Sequence, residues 1–382
     1  MKNIDFLVTD NRRLRNRSFK VCLNSSKKIL CMIPGKFLNG DSIRKIIQNI
    51  NEIMTRYNKK SLQIVIALGD KEIEDKLSYV MLECICYLLA EHYNIRSFVE
   101  WNHKSGISTD GIYVSPLQYI NNKTIDEFKS KFKSEIKGNH FRKIIDGHNI
   151  EKTGYLGILY QDVDAFLRHT LISKDCSADI AELVAELVGN ANEHSKTECL
   201  VDIDVTNEYT AKNEEGDKKY IGVNIAIVSF SNKLLGQDIR ERFKNHFPKV
   251  DRFTKLKNAY TYHSYQFNDS YSEDDFYILA SFQDKISGRI GKPASTGGTG
   301  LTMLIKSIQE RSRDDYCYMI TGNRVFTFKR QFLKYDSDNW LGFNEKSDFF
   351  SSIPSDKVLG SCPIYMPGTA YSLNFAIEME DS

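Results

Sequence analysis

The chain has 382 residues, 41% of them hydrophobic and 27% charged. That is the composition of a soluble globular protein with enough length for two or three domains, each able to bury a core without disulfide staples. A formal net charge of only +2 gives no overall pull toward nucleic acid or a membrane surface.

The N-terminus, MKNIDFLVTDNRRLRNR, lacks the apolar core of a signal peptide, and no apolar run reaches the roughly 18 residues needed to span a bilayer. A cytoplasmic protein is expected. The basic stretch NRRLRNRSFK, with Lys27 and Lys28, reads as a solvated surface. Eight cysteines occur without paired CxxC spacing, which points to free thiols in a reducing compartment.

From Lys28 to about Trp101, short β-rich runs alternate with longer helical ones. KILCMIP reads as a strand, SIRKIIQNINEIMTRYN as an amphipathic helix and LQIVIALGD as a buried strand. KLSYVMLECICYLLAEHY then reads as a helix and IRSFVEW as a strand. This alternation predicts an α/β layer with a partly parallel sheet. No glycine-rich phosphate loop follows either strand, so a scaffold or partner-binding role is expected for residues 1–150. The segment NNKTIDEFKSKFKSEIKGNHFRKIIDGHN is polar with helical spacing, and reads as a helical linker to a second domain, 151–382.

That second domain opens with DIAELVAELVGNANEHS, a helix that could begin at the caps Ser177 or Asp179. CLVDIDVTNEY and YIGVNIAIVSF follow as strands joined by the polar turn TAKNEEGDKK. A long polar and aromatic region runs from Asn232 to Ser295, and a glycine-rich turn then opens the helix LTMLIKSIQERS. CYMITGNRVFTFKRQF and TAYSLNFAIEM read as closing strands.

Two motifs carry chemistry. In Glu186-Leu-Val-Gly-Asn190-Ala-Asn-Glu193, the four-residue spacing sets Glu186 and Asn190 on one helical face, with Glu193 close by. A carboxylate beside a neutral amide suits a magnesium nucleotide site: the amide takes one position on the ion and the carboxylate acts on an attacking hydroxyl or water. In Ser295-Thr-Gly297-Gly298-Thr299-Gly300-Leu301, glycines before an amphipathic helix let the backbone approach a polyphosphate. It is not a P-loop, because no Lys-Ser/Thr follows the last glycine.

In this order the two motifs resemble the N-box and second glycine box of the GHKL superfamily, the ATP-binding domain shared by DNA gyrase, heat-shock chaperones, mismatch-repair ATPases and histidine kinases. The resemblance covers the chain from about Ser177 to its end. It implies the Bergerat fold, a two-layer α/β sandwich with a mixed sheet and helices on one face, binding ATP with Mg²⁺. It also implies Glu186 as catalytic base, Asn190 as magnesium ligand, and Gly297, Gly298, Thr299, Gly300 and Leu301 as the turn around the phosphates. Thr369, in Pro367-Gly368-Thr369, matches the family's Gly-Thr near the adenine, and Lys292 reads as a solvated lysine. The family's first glycine box departs from its pattern: Ser229 stands where an Asp accepts the adenine amino group, with Asn232 close behind. The N-terminal order is similar to that of STAS domains.

Glutamate at position 186 resembles the ATP-hydrolysing members and the anti-sigma serine kinases. His148 and His169 are isolated, and no helix carrying a phosphoacceptor histidine is recognisable. The reading is therefore an ATP-hydrolysing conformational switch, sensed by the N-terminal domain, a protein partner or a second copy. The alternatives are a protein serine/threonine kinase of anti-sigma type and a nucleotide-binding sensor without turnover.

Overall fold

The computed structural model describes residues 7, 21–23, 28–57, 62–102, 114–147, 154–170, 172–195, 197–210, 218–288, 300–312 and 316–379. The protein is of the α/β class. Its N-terminal sheet contains β1 (Val21–Leu23), β2 (Lys28–Met32), β4 (Gln63–Gly69) and β6 (Arg96–Trp101), in the order β1-β2-β4-β6. β2, β4 and β6 run parallel and β1 antiparallel, as the alternating pattern predicts. Short parallel strands β3 (Phe37–Leu38) and β5 (Glu72–Ile73) pair beyond the ends of β2 and β4.

Helix α1 (Gly40–Arg56) follows β3, capped by Asn39, whose side chain accepts from the Ser42 N–H. Helix α2 (Lys76–Tyr93) follows β5, capped in the same way by Asp75. It ends at Asn94 in the left-handed region, a conformation asparagine tolerates. Every residue from Lys76 to Ala90 is buried, so α2 is apolar nearly all round, as a helix between two layers must be.

The 121–149 segment corrects its sequence reading. Helices α3 (Leu117–Asn122) and α4 (Ile125–Lys133) occupy its first half, with Thr124 and Glu127 forming a capping box. Its second half is a hairpin, β7 (Ser134–Lys137) and β8 (His140–Ile145), turning through Gly138 at φ +56°. Asn139 joins the turn, and a Gly-Asn pair of this kind is hairpin chemistry.

The hairpin is part of a six-stranded sheet completed by β9 (Cys199–Thr210), β10 (Lys219–Phe230), β11 (Tyr318–Thr327) and β12 (Leu359–Glu378), in the order β11-β12-β10-β9-β8-β7. Every pairing in it is antiparallel, so the expected mixed sheet is corrected. Helices α5 (Tyr155–His169), α6 (Lys174–Ser195) and α10 (Gly300–Arg311) share a core with one face. α6 starts at Lys174, ahead of the expected caps. The Asn232–Ser295 region holds three helices, α7 (Gln237–Asn245), α8 (Asp251–Ser264) and α9 (Glu273–Ser281), around an aromatic cluster that includes Phe243, Tyr260, Phe276 and Tyr277.

The other face is not open, which corrects the expectation of helices on one face only. Alternate side chains of the sheet, including Leu200, Ala226, Val228, Phe230 and Ala370, pack into the core of α1 and α2. Their neighbours Val201, Val223, Ile225 and Ile227 face α6. A strand buried on both faces reads as a continuous apolar run, as YIGVNIAIVSF does. Among the described residues no helix is long and apolar enough to cross a membrane, and Cys31, Cys84, Cys86, Cys176, Cys199, Cys317 and Cys362 are free thiols.

Candidate functional site

On the face shared with α6, the ends of β10 and β12 open into a cavity. Its polar floor is set by register. Ser229 pairs directly with Thr369 across the β10/β12 ladder, and both line the cavity. Gly368 sits at φ +88°, and a Cβ there would lie 2.2 Å from the Ser229 carbonyl oxygen. Only glycine permits so close an approach. Thr321 Oγ1 donates to the Gly368 carbonyl at 2.7 Å and accepts the Leu235 N–H at 3.2 Å, tying the segment after β10 to the sheet.

One wall is α6, which contributes Leu187, Asn190 and Ala191. Leu187 is buried against the sheet and Asn190 is half-buried, because the helix turns its apolar stripe inward and leaves the amide at the stripe's edge. Leu301, in the first turn of α10, and Tyr371 close the apolar side. Burial pushes the Tyr371 phenol well above its ordinary range, so its ring serves as neutral wall.

The opposite wall is the start of α7, clamped by two glycines. A Cβ on Gly236, at φ +87°, would meet the Tyr277 backbone at 2.6 Å, and one on Gly288 would lie 2.4 Å from Asp238 Cβ. This fixes Asp238, which lines the cavity and pairs with Lys233 at 2.9 Å. These two are the charged side chains among the described lining residues, and they offset each other. Sequence reading missed both, since an acid in a first helical turn and a lysine in a polar turn are ordinary surface features.

The structure thus brings Asn190, Ser229, Leu301 and Thr369 to one cavity. Glu186 lies one turn before Asn190 on α6, half-buried and outside the cavity lining. Asn232 is exposed in the turn after β10 and does not line the cavity. Glu193 lies on α6, and Gly300 is the first residue of α10. Gly297, Gly298, Thr299 and Lys292 lie outside the described residues, as do His148 and the basic stretch 11–20.

A second polar cluster lies on the opposite face of the sheet. His140, Asp202 and Asp204 come close enough to hold a metal ion, but the cation there is the Lys76 ammonium, bonded to both carboxylates. His140 Nδ1 also bonds Asp204 at 2.8 Å, and Arg142 bridges Asp202 and Glu83. Burial alone would raise the Asp202 carboxyl, yet Arg142 and Lys76 hold it well below the usual range. Burial pushes Glu83 up against the pull of Arg142. The cluster joins α2 to β8 and β9, and its geometry is that of an internal ion network.

No protein-family model, curated protein or solved structure matches this chain.

Proposed function

We propose that the cavity between α6 and the ends of β10 and β12 binds ATP, and that the protein is a GHKL-type ATPase of Bergerat fold working as a conformational switch. One observation carries the reading. Asn190, Ser229, Leu301 and Thr369, singled out from motifs scattered along the chain, line a single cavity.

The chemistry of the lining fits the parts of a nucleotide. Apolar walls from Leu187, Ile227, Ile286 and Tyr371 suit a purine, with the Ser229 and Thr369 hydroxyls at the strand ends to bond its edge. The Asn190 amide oxygen suits one position on a magnesium ion, which would supply charge neutralisation at the phosphates. Lys233 and Asp238 offset each other, so the described lining brings no net positive charge to a polyphosphate. That places the burden on the metal, the Gly297–Gly300 turn and the N–H groups at the start of α10.

Glu186 is assigned as general base toward an attacking water, reaching the phosphate end from one turn below Asn190. Because it stands outside the cavity lining, the assignment requires closure around bound nucleotide to bring water and phosphate within its reach. Closure would be sensed by α1 and α2, which pack on the far face of the same strands, or by a protein partner. The test is turnover of ATP by the full chain with magnesium. Release of free phosphate, lost by about 10²-fold in Glu186→Ala while nucleotide is still bound, is the expected result. Label transferred to protein would instead favour a serine/threonine kinase, and an unchanged rate in Glu186→Ala would sink the assignment of the base.

A further inference from the structure

Asp238 restricts what the cavity at the ends of β10 and β12 can accept. It stands half-buried in the first turn of α7 and is the one acid in the described lining. An ionised carboxylate offers acceptors only. A ligand fitted to this wall therefore brings hydrogen-bond donors to it and keeps its own negative charge elsewhere.

The backbone fixes where that carboxylate sits. Gly236, at φ +87°, brings the start of α7 against the Tyr277 backbone, and Gly288 packs directly on the Asp238 Cβ, leaving no room for a side chain of its own. Both glycines line the same cavity. Lys233 Nζ donates to Asp238 Oδ1 at 2.9 Å. A carboxylate has about four acceptor sites, so its capacity extends beyond that one bond.

ATP has few donors to give. The ionised triphosphate offers none, the purine offers its exocyclic amino group, and the sugar offers two vicinal hydroxyls. Ser229 and Thr369 at the strand ends suit the amino group, while Asn190 and the start of α10 suit the metal and phosphates. Asp238 lies on the wall opposite α6, where it does not oppose the phosphates. The sugar, which joins base to phosphates, is the remaining part of the nucleotide with donors for this wall.

We propose that Asp238 determines specificity by receiving the ribose 2′- and 3′-hydroxyls, so that the site takes ribonucleotides and rejects nucleotides lacking them. The inference rests on the nucleotide reading of this cavity. A site built to bond a hydroxyl discriminates against the analogue without it, because the acceptor is then left desolvated and unpaired.

Calorimetric titration of the full chain with ATP and with 2′,3′-dideoxy-ATP, both with magnesium, on the wild type and on Asp238→Ala, tests it. The variant keeps the Cβ on which Gly288 packs. The wild type should bind the dideoxy nucleotide about tenfold or more weakly than ATP, and Asp238→Ala should bind the two alike. A merely structural role for Asp238 would weaken both nucleotides and keep their ratio. Equal affinities in the wild type, or a preference that persists in Asp238→Ala, would overturn this inference and leave the nucleotide site standing. Failure of both nucleotides to bind the wild type would overturn the reading on which it rests.

Discussion

Ser229 shows how much a single side chain can decide. A neutral hydroxyl accepts a hydrogen bond about half as strong as a carboxylate does, so ATP is expected to bind weakly and with poor preference over GTP. Ser229→Asp should tighten ATP without helping GTP, whose guanine carbonyl would face a carboxylate with both acceptors unpaired. Four dissociation constants, two proteins against two nucleotides, check this. A wild type that already prefers ATP a thousandfold, weakened by Ser229→Asp, would place the base elsewhere.

His263 illustrates a different kind of residue, one whose charge the fold excludes. It is buried, with Nε2 on the Phe349 carbonyl at 2.8 Å and Nδ1 on the Tyr271 hydroxyl at 2.6 Å. The neutral ring satisfies both by donating from Nε2 and accepting at Nδ1. Burial lowers its pKa from the ordinary 6.5. With the folded value depressed, its contribution to stability is present above pH 6.5 and is lost as pH falls toward and through the folded value. Urea midpoints measured from neutral pH down to about pH 5 should fall more steeply in the wild type than in His263→Gln. Parallel curves would exclude this histidine as the sensitive group.

Among the elements, the start of α7 is tightly constrained, since Gly288 leaves no room for a Cβ between it and Asp238. Gly288→Ala should displace α7, costing about 1–3 kcal/mol as an overpacked contact, and should weaken nucleotide binding in parallel. Full stability with normal binding would mean that the two segments separate without consequence. Elements of this kind were not legible in the sequence. Strands β2, β4, β6, β9 and β10 and helices α1, α2 and α10 were, because their apolar residues follow a clean period or run on continuously over the length of an element. The β7/β8 hairpin was not, because His140 and Arg142, its inward side chains on the α2 face, are polar and read as surface. The Asn232–Ser295 helices were obscured in the same way by aromatic residues spread among charges. Of the residues lining the cavity, Asn190, Ser229, Leu301 and Thr369 are marked by motifs, whereas Asp238 is placed by Gly288 packing against it, a contact no local pattern announces.

At the scale of the whole molecule, the six-stranded sheet is shared. One face belongs to α6 and the cavity at the ends of β10 and β12, the other to α1 and α2. The ion network of Lys76, Asp202, Asp204, His140, Arg142 and Glu83 fastens α2 to the sheet in a fully buried position. Its polar members sit on alternate positions of β8 and β9, a pattern that in isolation describes a half-exposed sheet. Lys76→Met should cost about 3–5 kcal/mol by removing the ammonium from Asp204 and leaving Asp202 to Arg142 alone. Adding Asp204→Asn should recover part of that loss. A urea midpoint unchanged in Lys76→Met would contradict the network's role in joining the layers.

The central claim is that the cavity bounded by Asn190, Ser229, Leu301 and Thr369 holds ATP through magnesium. Calorimetric titration of the full chain with ATP, in magnesium and in chelator, on the wild type and on Asn190→Ala, tests it most directly. Saturable binding with one equivalent of ATP, stronger with magnesium in the wild type and losing that dependence in Asn190→Ala, is predicted. Equal affinity with magnesium and with chelator would contradict the metal assignment, and no binding under either condition would contradict the nucleotide site itself.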